Sequence, residues 1–336
     1  MVSHTHPRQR KTRPMTIDDI LKGKASVSIS GHVRPDGDCV GSCMSVYNYI
    51  ATHYPDMDVH VYLDPIPNIY KFMKNTDRIE QVDKKHIMEF DLFICLDCHE
   101  YSRLGDSAKV AKKAGEIFCV DHHLGEKEFA GESYIFPEAS SACELVAELM
   151  PIDRVTEEIA ECLYTGIVDD TGVFQYTSTS PSTMRKAAQL MEKGIPFSRI
   201  IEKTFFEKTY NQMRIFAHAL LKARLHFDGR IISSYITKAE MEEFEVEPKH
   251  MEGIVSQLRD TKGVEVSIFL YETKNEGYKV STRAGADCNI NLAELCASFG
   301  GGGHAKAAGF QIHKTPDEAV SIIVEKVEKA LLALEQ

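Results

Sequence analysis

Histidine and aspartate side chains stand together at the end of an apolar run that is typical of a β-strand. In the stretch IFCVDHHL, Asp121, His122 and His123 directly follow strand-forming residues. One histidine at a strand end is ordinary, whereas two beside a carboxylate indicate metal binding or proton transfer. A solvated polar turn would explain the same three residues, so the other strand ends must decide between the two interpretations.

Similar side chains follow two other strand-like runs. The run ASVSIS leads into GHVRPDGDCVGS, which contains His32, Asp36 and Asp38, and the run DLFICL leads to Asp97. Strand-like runs that alternate with helix-like segments predict a parallel sheet with crossover helices. Because the carboxyl ends of parallel strands meet at one edge, we expect these side chains to lie close together.

The elements that must position these residues alternate along the first half of the chain. The predicted strands cover 25–30, 59–63, 91–96 and 116–120, and the predicted helices between them cover 40–54 and about 102–115. A helix over 140–150 follows, and another begins near Thr156 and leads to Asp169 and Asp170. The second helix therefore adds a carboxylate to the set, although a solvated turn explains one of the two aspartates equally well.

The second half of the chain predicts a smaller α+β domain. Residues 182–216 have a helical pattern that breaks near Pro196. The predicted strands beyond it cover 230–236, 264–272 and 278–284, and the predicted helices cover 248–260, 290–299 and 316–334. We therefore expect an α/β protein whose mostly parallel N-terminal sheet is flanked by helices. The predicted boundaries are a disordered tail over 1–14, a first domain over 15–195, a linker over 196–212 and a second domain over 213–336.

Composition narrows the classes of function. No apolar run is long enough to span a bilayer, and the basic start lacks the apolar region of a signal peptide, so we expect a cytoplasmic protein without a membrane partner. The net charge of −11 disfavours broad non-specific binding to nucleic acid. Nine scattered cysteines fit reduced thiols. The C-x-x-C pair of Cys95 and Cys98 is compatible with a redox or zinc site, and also with buried thiols in an apolar run.

Mixed aspartate and histidine ligands suit a pair of divalent cations of intermediate hardness, such as Mn²⁺. Mg²⁺ prefers oxygen ligands, and structural Zn²⁺ usually takes thiolates. Two cations roughly 3.5–4 Å apart can clamp a phosphoryl group and produce a hydroxide from water near neutral pH. Asp97, central in the sheet, could bridge the cations, and Gly37 would let Asp36 and Asp38 face different ones.

A run of glycines in the second domain is the other prominent motif. It consists of Gly300, Gly301, Gly302 and Gly303 and is followed by His304. A flexible linker would have this composition, but this run lies between an apolar helix end and an apolar strand. Successive glycine amides can form a concave site for an anion, to which His304 and Arg283 could add charge-assisted hydrogen bonds. We therefore expect phosphate binding here.

Together these motifs resemble those of the DHH phosphoesterase superfamily. GHVRPDGDCVGS, Asp97 in LDCHE, the Asp-His-His triplet and GIVDDTGVF resemble its four motifs, in the correct order. STRAG and GGGGHAKAAGF resemble its DHHA1 domain. The resemblance extends from about residue 15 to 334 and implies a DHH catalytic domain followed by a DHHA1 substrate-binding domain. The layout is most similar to the bifunctional oligoribonuclease and 3′-phosphoadenosine 5′-phosphate (pAp) phosphatase subgroup.

The resemblance implies ligands for two Mn²⁺ ions per active site, with Mg²⁺ or Co²⁺ as alternatives. One cation would be held by His32 and Asp36, the other by Asp38, His122 and Asp170, and Asp97 would bridge them. Asp170 is chosen over Asp169 because the family aspartate directly precedes Thr-Gly. Asp121 would orient a histidine, and His123 would lie near the scissile phosphate, where it stabilises charge or aids proton transfer.

The substrate would be held by residues of both domains. These are Arg283, Gly301, Gly302, Gly303, His304 and Arg103. Arg34 is a further candidate for a phosphate contact. Ser140 and Ser141 match a serine-rich family position, and a helix N-cap explains them equally well.

The implied reaction is hydrolysis of short RNA oligonucleotides and of pAp, the latter to AMP, by a hydroxide that two metals activate. Two alternatives remain at this point. The first is a phosphodiesterase for cyclic dinucleotides or for linear ones such as pApA and pGpG. The second is a nucleotide-binding regulator that has lost catalysis, although every expected metal position is filled. A homodimer is compatible with the sequence.

Overall fold

The structure, a computed structural model, describes residues 15–125, 131–273 and 277–335. The predicted tail over 1–14 lies outside these residues. The chain divides into two units, 1–207 and 208–336, and the division falls inside the segment predicted as a linker. Much of that segment is helical.

Six strands form the sheet of the first unit, and every pairing between them is parallel. They are β1 Ser26–Ser30, β2 Asp58–Tyr62, β3 Ile79–Glu80, β4 Leu92–Leu96, β5 Glu116–Asp121 and β6 Glu132–Ile135, in the order β3-β2-β1-β4-β5-β6. The four predicted strands are confirmed. The sequence analysis missed β3 and β6, which are short edge strands with few apolar residues to mark them.

Helices cover this sheet. They are α1 Ile17–Leu21, α2 Gly37–His53, α3 Ala108–Ala111, α4 Ala142–Leu149, α5 Glu157–Asp170, α6 Pro181–Met191 and α7 Phe197–Ile201. Side-chain caps fix several starts: Asp36 caps α2, Ser141 caps α4 and Thr156 caps α5. The helix predicted over about 102–115 is largely wrong. Tyr101–Ser107 forms 3₁₀ turns instead, because Gly105 adopts a positive φ of 57° that interrupts a helix.

The second unit contains a six-stranded mixed sheet. Its strands are β7 Arg224–His226, β8 Ile231–Ile236, β9 Val266–Glu272, β10 Tyr278–Ala284, β11 Gly302–His304 and β12 Ala307–Ile312, in the order β11-β12-β10-β9-β8-β7. Its helices are α8 Tyr210–Leu221, α9 Lys238–Glu243, α10 Ile254–Arg259, α11 Leu292–Ala297 and α12 Pro316–Ala333. The predicted α+β architecture is confirmed.

The burial of the strands explains their sequences. All five residues of β4 are buried, as expected for a central parallel strand covered on both faces. In contrast, β10 alternates: Tyr278, Val280, Thr282 and Ala284 are buried, and the residues between them are more exposed. Among the described residues, no helix combines the length and apolar character needed to cross a membrane.

Candidate metal centre

Three neighbouring strand ends bring the predicted metal ligands together. His32 follows β1, Asp97 follows β4 and His122 follows β5, and β4 lies between the other two strands. His32 Nε2 lies 3.2 Å from Asp97 Oδ2, and His122 Nε2 lies 3.5 Å from Asp97 Oδ1. His32 Nδ1 donates to the carbonyl of Val33 at 2.9 Å, which directs Nε2 towards Asp97.

Asp97 lies at the centre of this cluster. Its side chain is buried, and its backbone has a positive φ of 55°. Its Oδ1 atom makes no hydrogen bond to any residue that the structure describes, although His123 Nδ1 is 3.4 Å away. A buried carboxylate oxygen without a hydrogen bond is rare, and a cation beside it would supply the missing partner.

The first turn of α2 supplies two further carboxylates. Asp36 accepts a hydrogen bond from the amide of Cys39 at 3.1 Å, and its Oδ2 lies 3.6 Å from His32 Nε2. Asp38 is fully buried and accepts from the amides of Ala142 at 2.6 Å and Cys143 at 2.9 Å. The start of α4 therefore fixes Asp38. Burial and the charge of Asp97 raise the pKa of Asp38 to about 7.

The end of α5 completes the cluster. His122 Nε2 lies 3.1 Å from Asp170 Oδ2 and 3.8 Å from Asp38 Oδ2. Burial and the nearby Asp38 raise the pKa of Asp170 to about 9. Burial alone would lower the pKa of His32, but hydrogen bonds to Asp36 and Asp97 raise it to about 12. The raised pKa values mean that bound protons partly neutralise the clustered carboxylates, and divalent cations would neutralise the same negative charge.

The donor atoms fall into three groups, and within each group all atoms lie within 4.8 Å of one another. The groups are His32, Cys39 and Asp97; Asp97, His122 and His123; and Asp38, His122 and Asp170. Asp97 joins the first two groups and His122 the last two. Nitrogen and oxygen donors in this arrangement fit a pair of divalent cations. The sequence analysis did not include Cys39.

Asp121 lies behind the cluster and holds two histidines. It accepts hydrogen bonds from His123 Nδ1 at 2.8 Å, from the amide of His122 at 2.7 Å and from His99 Nδ1. Burial would raise the pKa of Asp121, but the hydrogen bond from His123 lowers it to about 2. The sequence analysis missed His99, although this buried residue follows the same strand end as Asp97.

Asp169 faces a different set of groups. It accepts hydrogen bonds from the amide of Gly37 at 2.9 Å and from the Tyr70 hydroxyl at 3.0 Å. Its carboxylate therefore links the end of α5 to the start of α2, and it belongs to none of the three donor groups among the described residues.

Other motifs from the sequence have structural roles. Ser141 caps α4 by accepting from the amide of Glu144 at 3.0 Å, and the Ser140 hydroxyl donates to the Glu144 carboxylate at 2.7 Å. Cys95 and Cys98 are free and buried, and the Cys95 thiol donates to the carbonyl of Cys98 at 2.8 Å.

Arg103 and Arg34 line a cavity beside the candidate metal ligands. It has a volume of about 500 Å³, and His32, Val33 and Ser102 complete its lining. The side chain of His32 is shared between this cavity and the first donor group. An anion in the cavity would therefore lie close to His32 and to two arginine residues, a side-chain type that binds anions.

The predicted phosphate-binding residues of the second unit lie in register across three strands. On β12, Ala307 pairs with Arg283 of β10 on one side and with His304 of β11 on the other. Paired residues point to the same face, so Arg283 and His304 share a face and lie about 10 Å apart across the small Ala307. The glycine run is not an open loop. Gly302 and Gly303 pair with β12, and the amide of Gly301 donates to the carbonyl of Cys296 at 3.0 Å.

Comparison with known families identifies two domains. The model of the DHH family N-terminal domain matches residues 26–167, and the model of the DHHA1 domain matches residues 228–336. The first match contains the candidate metal ligands except Asp170, and the second contains Arg283 and His304.

Individual relatives extend over nearly the whole chain. The bifunctional oligoribonuclease and PAP phosphatase NrnA of Thermus thermophilus is 27% identical over 94% of this chain and 93% of the relative. A solved structure of an exopolyphosphatase-related protein from Bacteroides fragilis is 29% identical, with a TM-score of 0.86, and covers 94% of this chain and 95% of that one. The cyclic-di-AMP phosphodiesterase PdeA of Listeria monocytogenes is 25% identical over 98% of this chain but 51% of the relative.

Proposed function

The chain belongs to the DHH family and carries a DHHA1 domain, and from this we propose that it hydrolyses short RNA oligonucleotides and pAp in a manganese-dependent reaction. The Thermus thermophilus relative, which is aligned over almost its full length, supports these substrates. The observation that carries the proposal is the buried Asp97 carboxylate, which joins two groups of metal donors and has an oxygen without a hydrogen bond to the described residues.

The side chains around Asp97 suggest how two cations would be held. We assign His32 to the first cation together with Asp36, which lies outside the three donor groups but has its Oδ2 3.6 Å from His32 Nε2. Asp38, His122 and Asp170 would hold the other cation, and Asp97 would be a ligand of both. The mixed nitrogen and oxygen donors favour Mn²⁺ over Mg²⁺. When bound, the two cations supply charge neutralisation at the phosphoryl group and a more acidic water.

His123 would act as the proton donor in the reaction. Hydrolysis forms a bond from a water oxygen to phosphorus and breaks the bond from phosphorus to the ribose oxygen, which must gain a proton. His123 Nδ1 donates to Asp121, so Nε2 is the atom that would deliver this proton. Asp121 keeps the ring oriented and stabilises its protonated form.

The side chains of the second unit would bind a phosphate of the substrate. Arg283 and His304 share one face of the sheet, and the glycines of β11 leave that edge without bulky side chains. Arg103 lines the same cavity as His32, one of the candidate metal ligands, and would contact the phosphate that is hydrolysed.

The test measures products from a 5′-labelled RNA dinucleotide and from pAp, with Mn²⁺ and with chelator. We expect mononucleotides and AMP from the wild-type chain, and no cleavage with chelator or in Asp97→Ala. Asp77→Asn, which changes an exposed aspartate, is the matched control and should retain full activity. Cleavage of neither substrate by the wild-type chain would refute the proposed activity.

A second candidate function is hydrolysis of cyclic or linear dinucleotides. The observation in its favour is the similarity to the Listeria monocytogenes phosphodiesterase, which extends over 98% of this chain. The same assay with cyclic di-AMP, pApA and pGpG distinguishes the candidates. If only these dinucleotides are hydrolysed, the proposed metal centre stands and the proposed substrates are wrong. Nucleotide binding without hydrolysis would indicate a regulator.

A further inference from the structure

We propose that the Cys39 thiolate is an additional ligand of the first metal site and makes that site selective for thiophilic cations. The inference rests on the proposed metal centre. Cys39 Sγ, a His32 ring nitrogen and an Asp97 carboxylate oxygen all lie within 4.8 Å of one another. Among the cysteines in the described part of the chain, Cys39 is the one that joins such a group.

The fold places the thiol at the metal site through two local features. The amide of Cys39 donates to Asp36, which fixes the first turn of α2 beside the end of β1. A Cβ atom on Gly31 would lie 2.3 Å from Cys39 Sγ and 2.8 Å from the carbonyl oxygen of Leu96. The absence of a side chain at Gly31 therefore provides the space in which the thiol lies beside the ends of β1 and β4.

The surroundings of the thiol favour a ligand role. Cys39 is completely buried, and its hydrogen bond to the carbonyl of His32 is long at 3.9 Å. Asp97, in the same group, has one buried oxygen, Oδ1, without a hydrogen bond to the described residues. This Oδ1 atom lies 3.5 Å from His122 Nε2, and Oδ2 is the oxygen that lies 3.2 Å from His32 Nε2. On binding a divalent cation, the thiol would form a sulfur–metal bond and release its proton to solvent.

A sulfur ligand at this position would give the two metal sites different cation preferences. A thiolate favours Zn²⁺, Cd²⁺ and Co²⁺ over Mn²⁺ and Mg²⁺. The group formed by Asp38, His122 and Asp170 contains oxygen and nitrogen donors only. We therefore infer a centre that can hold unlike cations, with the more thiophilic cation beside Cys39.

Absorption spectra of the full chain with Co²⁺ test the ligand directly. Wild type should show visible bands from bound Co²⁺ together with a near-ultraviolet band from sulfur-to-cobalt charge transfer. Cys39→Ser and Cys39→Ala should keep the visible bands and lose the ultraviolet band. The control is Cys288→Ser, which changes a buried thiol of the second unit that lies outside the donor groups and should keep both bands.

A competition between Zn²⁺ and Mn²⁺ tests selectivity. We expect Cys39→Ser to lower Zn²⁺ affinity by at least about tenfold, because losing a residue that merely orients a ligand already has an effect of this size. Mn²⁺ affinity should change by less than about twofold. Cadmium NMR of the wild-type chain needs no variant. The resonance of cadmium bound at the first site should have the chemical shift typical of a sulfur ligand.

The outcomes separate this inference from the proposed function. Visible bands without a sulfur band in wild type, or a sulfur band that persists in both Cys39 variants, would overturn the ligand role. If hydrolysis of RNA dinucleotide persists in that case, the proposed function stands. No Co²⁺ binding by wild type would overturn the metal centre itself.

Discussion

Asp169 and Asp170 are adjacent in the sequence but have different partners. Asp170 faces His122 and Asp38, whereas Asp169 accepts hydrogen bonds from Gly37 and Tyr70. We expect Asp170→Asn to lower Mn²⁺ affinity by at least about tenfold, because it removes a charged ligand. Isothermal titration calorimetry with Mn²⁺ measures the change.

Asp169→Asn is the matched control for Asp170→Asn. The amide oxygen can still accept one hydrogen bond, so we expect Mn²⁺ affinity to stay within about threefold and the free energy of unfolding to fall by about 1 kcal/mol. A larger loss of Mn²⁺ affinity in Asp169→Asn than in Asp170→Asn would show that the two assignments must be exchanged.

His99 holds the carboxylate that orients His123. Its Nδ1 atom donates to Asp121, and both residues are buried. We expect His99→Leu to lower kcat for the RNA dinucleotide roughly 10- to 100-fold, the usual effect of losing a group that orients a functional residue, with little change in KM. His99→Gln, which can still donate a hydrogen bond, should recover part of kcat.

The control for His99 is His86→Gln, which changes a histidine whose side chain is 85% exposed. It should leave both kcat and KM unchanged. If His99→Leu instead raises KM and lowers the melting temperature without changing kcat, the residue has only a packing role.

At the level of the elements, a left-handed turn ends α5. Gly172, Val173 and Phe174 have φ values of 55°, 57° and 63°, and the turn begins two residues after Asp170. A Cβ atom on Gly172 would lie 2.4 Å from the ring of Tyr176. We expect Gly172→Ala to destabilise the protein by about 1–3 kcal/mol, because it combines backbone strain with this steric overlap. Denaturant unfolding measures the difference.

Gly194→Ala is the matched control for the turn. Gly194 also has a positive φ, of 89°, but a Cβ atom there would meet nothing within 4 Å. Gly194→Ala should therefore lower the free energy of unfolding only through backbone strain, by about 1–2 kcal/mol. It should leave Mn²⁺ affinity unchanged. Equal losses in the free energy of unfolding for the two substitutions would contradict a role for the Tyr176 contact.

At the level of the whole molecule, the proposed roles divide between the two units. The candidate metal donors belong to the first unit, and Arg283 and His304 belong to the second. We expect Arg283→Gln to raise KM for pAp by about tenfold, because a charge-assisted hydrogen bond to phosphate is worth about 1.5–3 kcal/mol, while Mn²⁺ affinity stays unchanged. Steady-state kinetics and calorimetry measure the two quantities separately.

Lys279→Gln is the matched control, since Lys279 lies four residues before Arg283 on β10 and shares its face. Lys279 pairs with Gln311 of β12, at the opposite end of the strand from the glycine run. Its substitution should change KM by less than twofold. Equal increases in KM for both variants would indicate general attraction of anions rather than a site at Arg283.

Local patterns made much of this protein predictable. The apolar runs marked the four longer strands of the first sheet, and the polar residues directly after them included His32, Asp97 and His122. Short elements escaped prediction: β3 and β6 have few residues, and Gly105 interrupts a segment with an otherwise helical composition. Periodicity needs several residues to be visible, so two- to four-residue elements leave little signal.

The sequence by itself determined the fold class, the edge of the sheet that carries the candidate site and, through its motifs, the family. These follow from strand ends and spacings that are local along the chain. Only the tertiary structure decided which side chains meet across long separations: Asp38 with the start of α4, His99 with Asp121, and Cys39 with His32 and Asp97. Such contacts depend on strand order and on close approach of backbones, which no spacing along the sequence encodes.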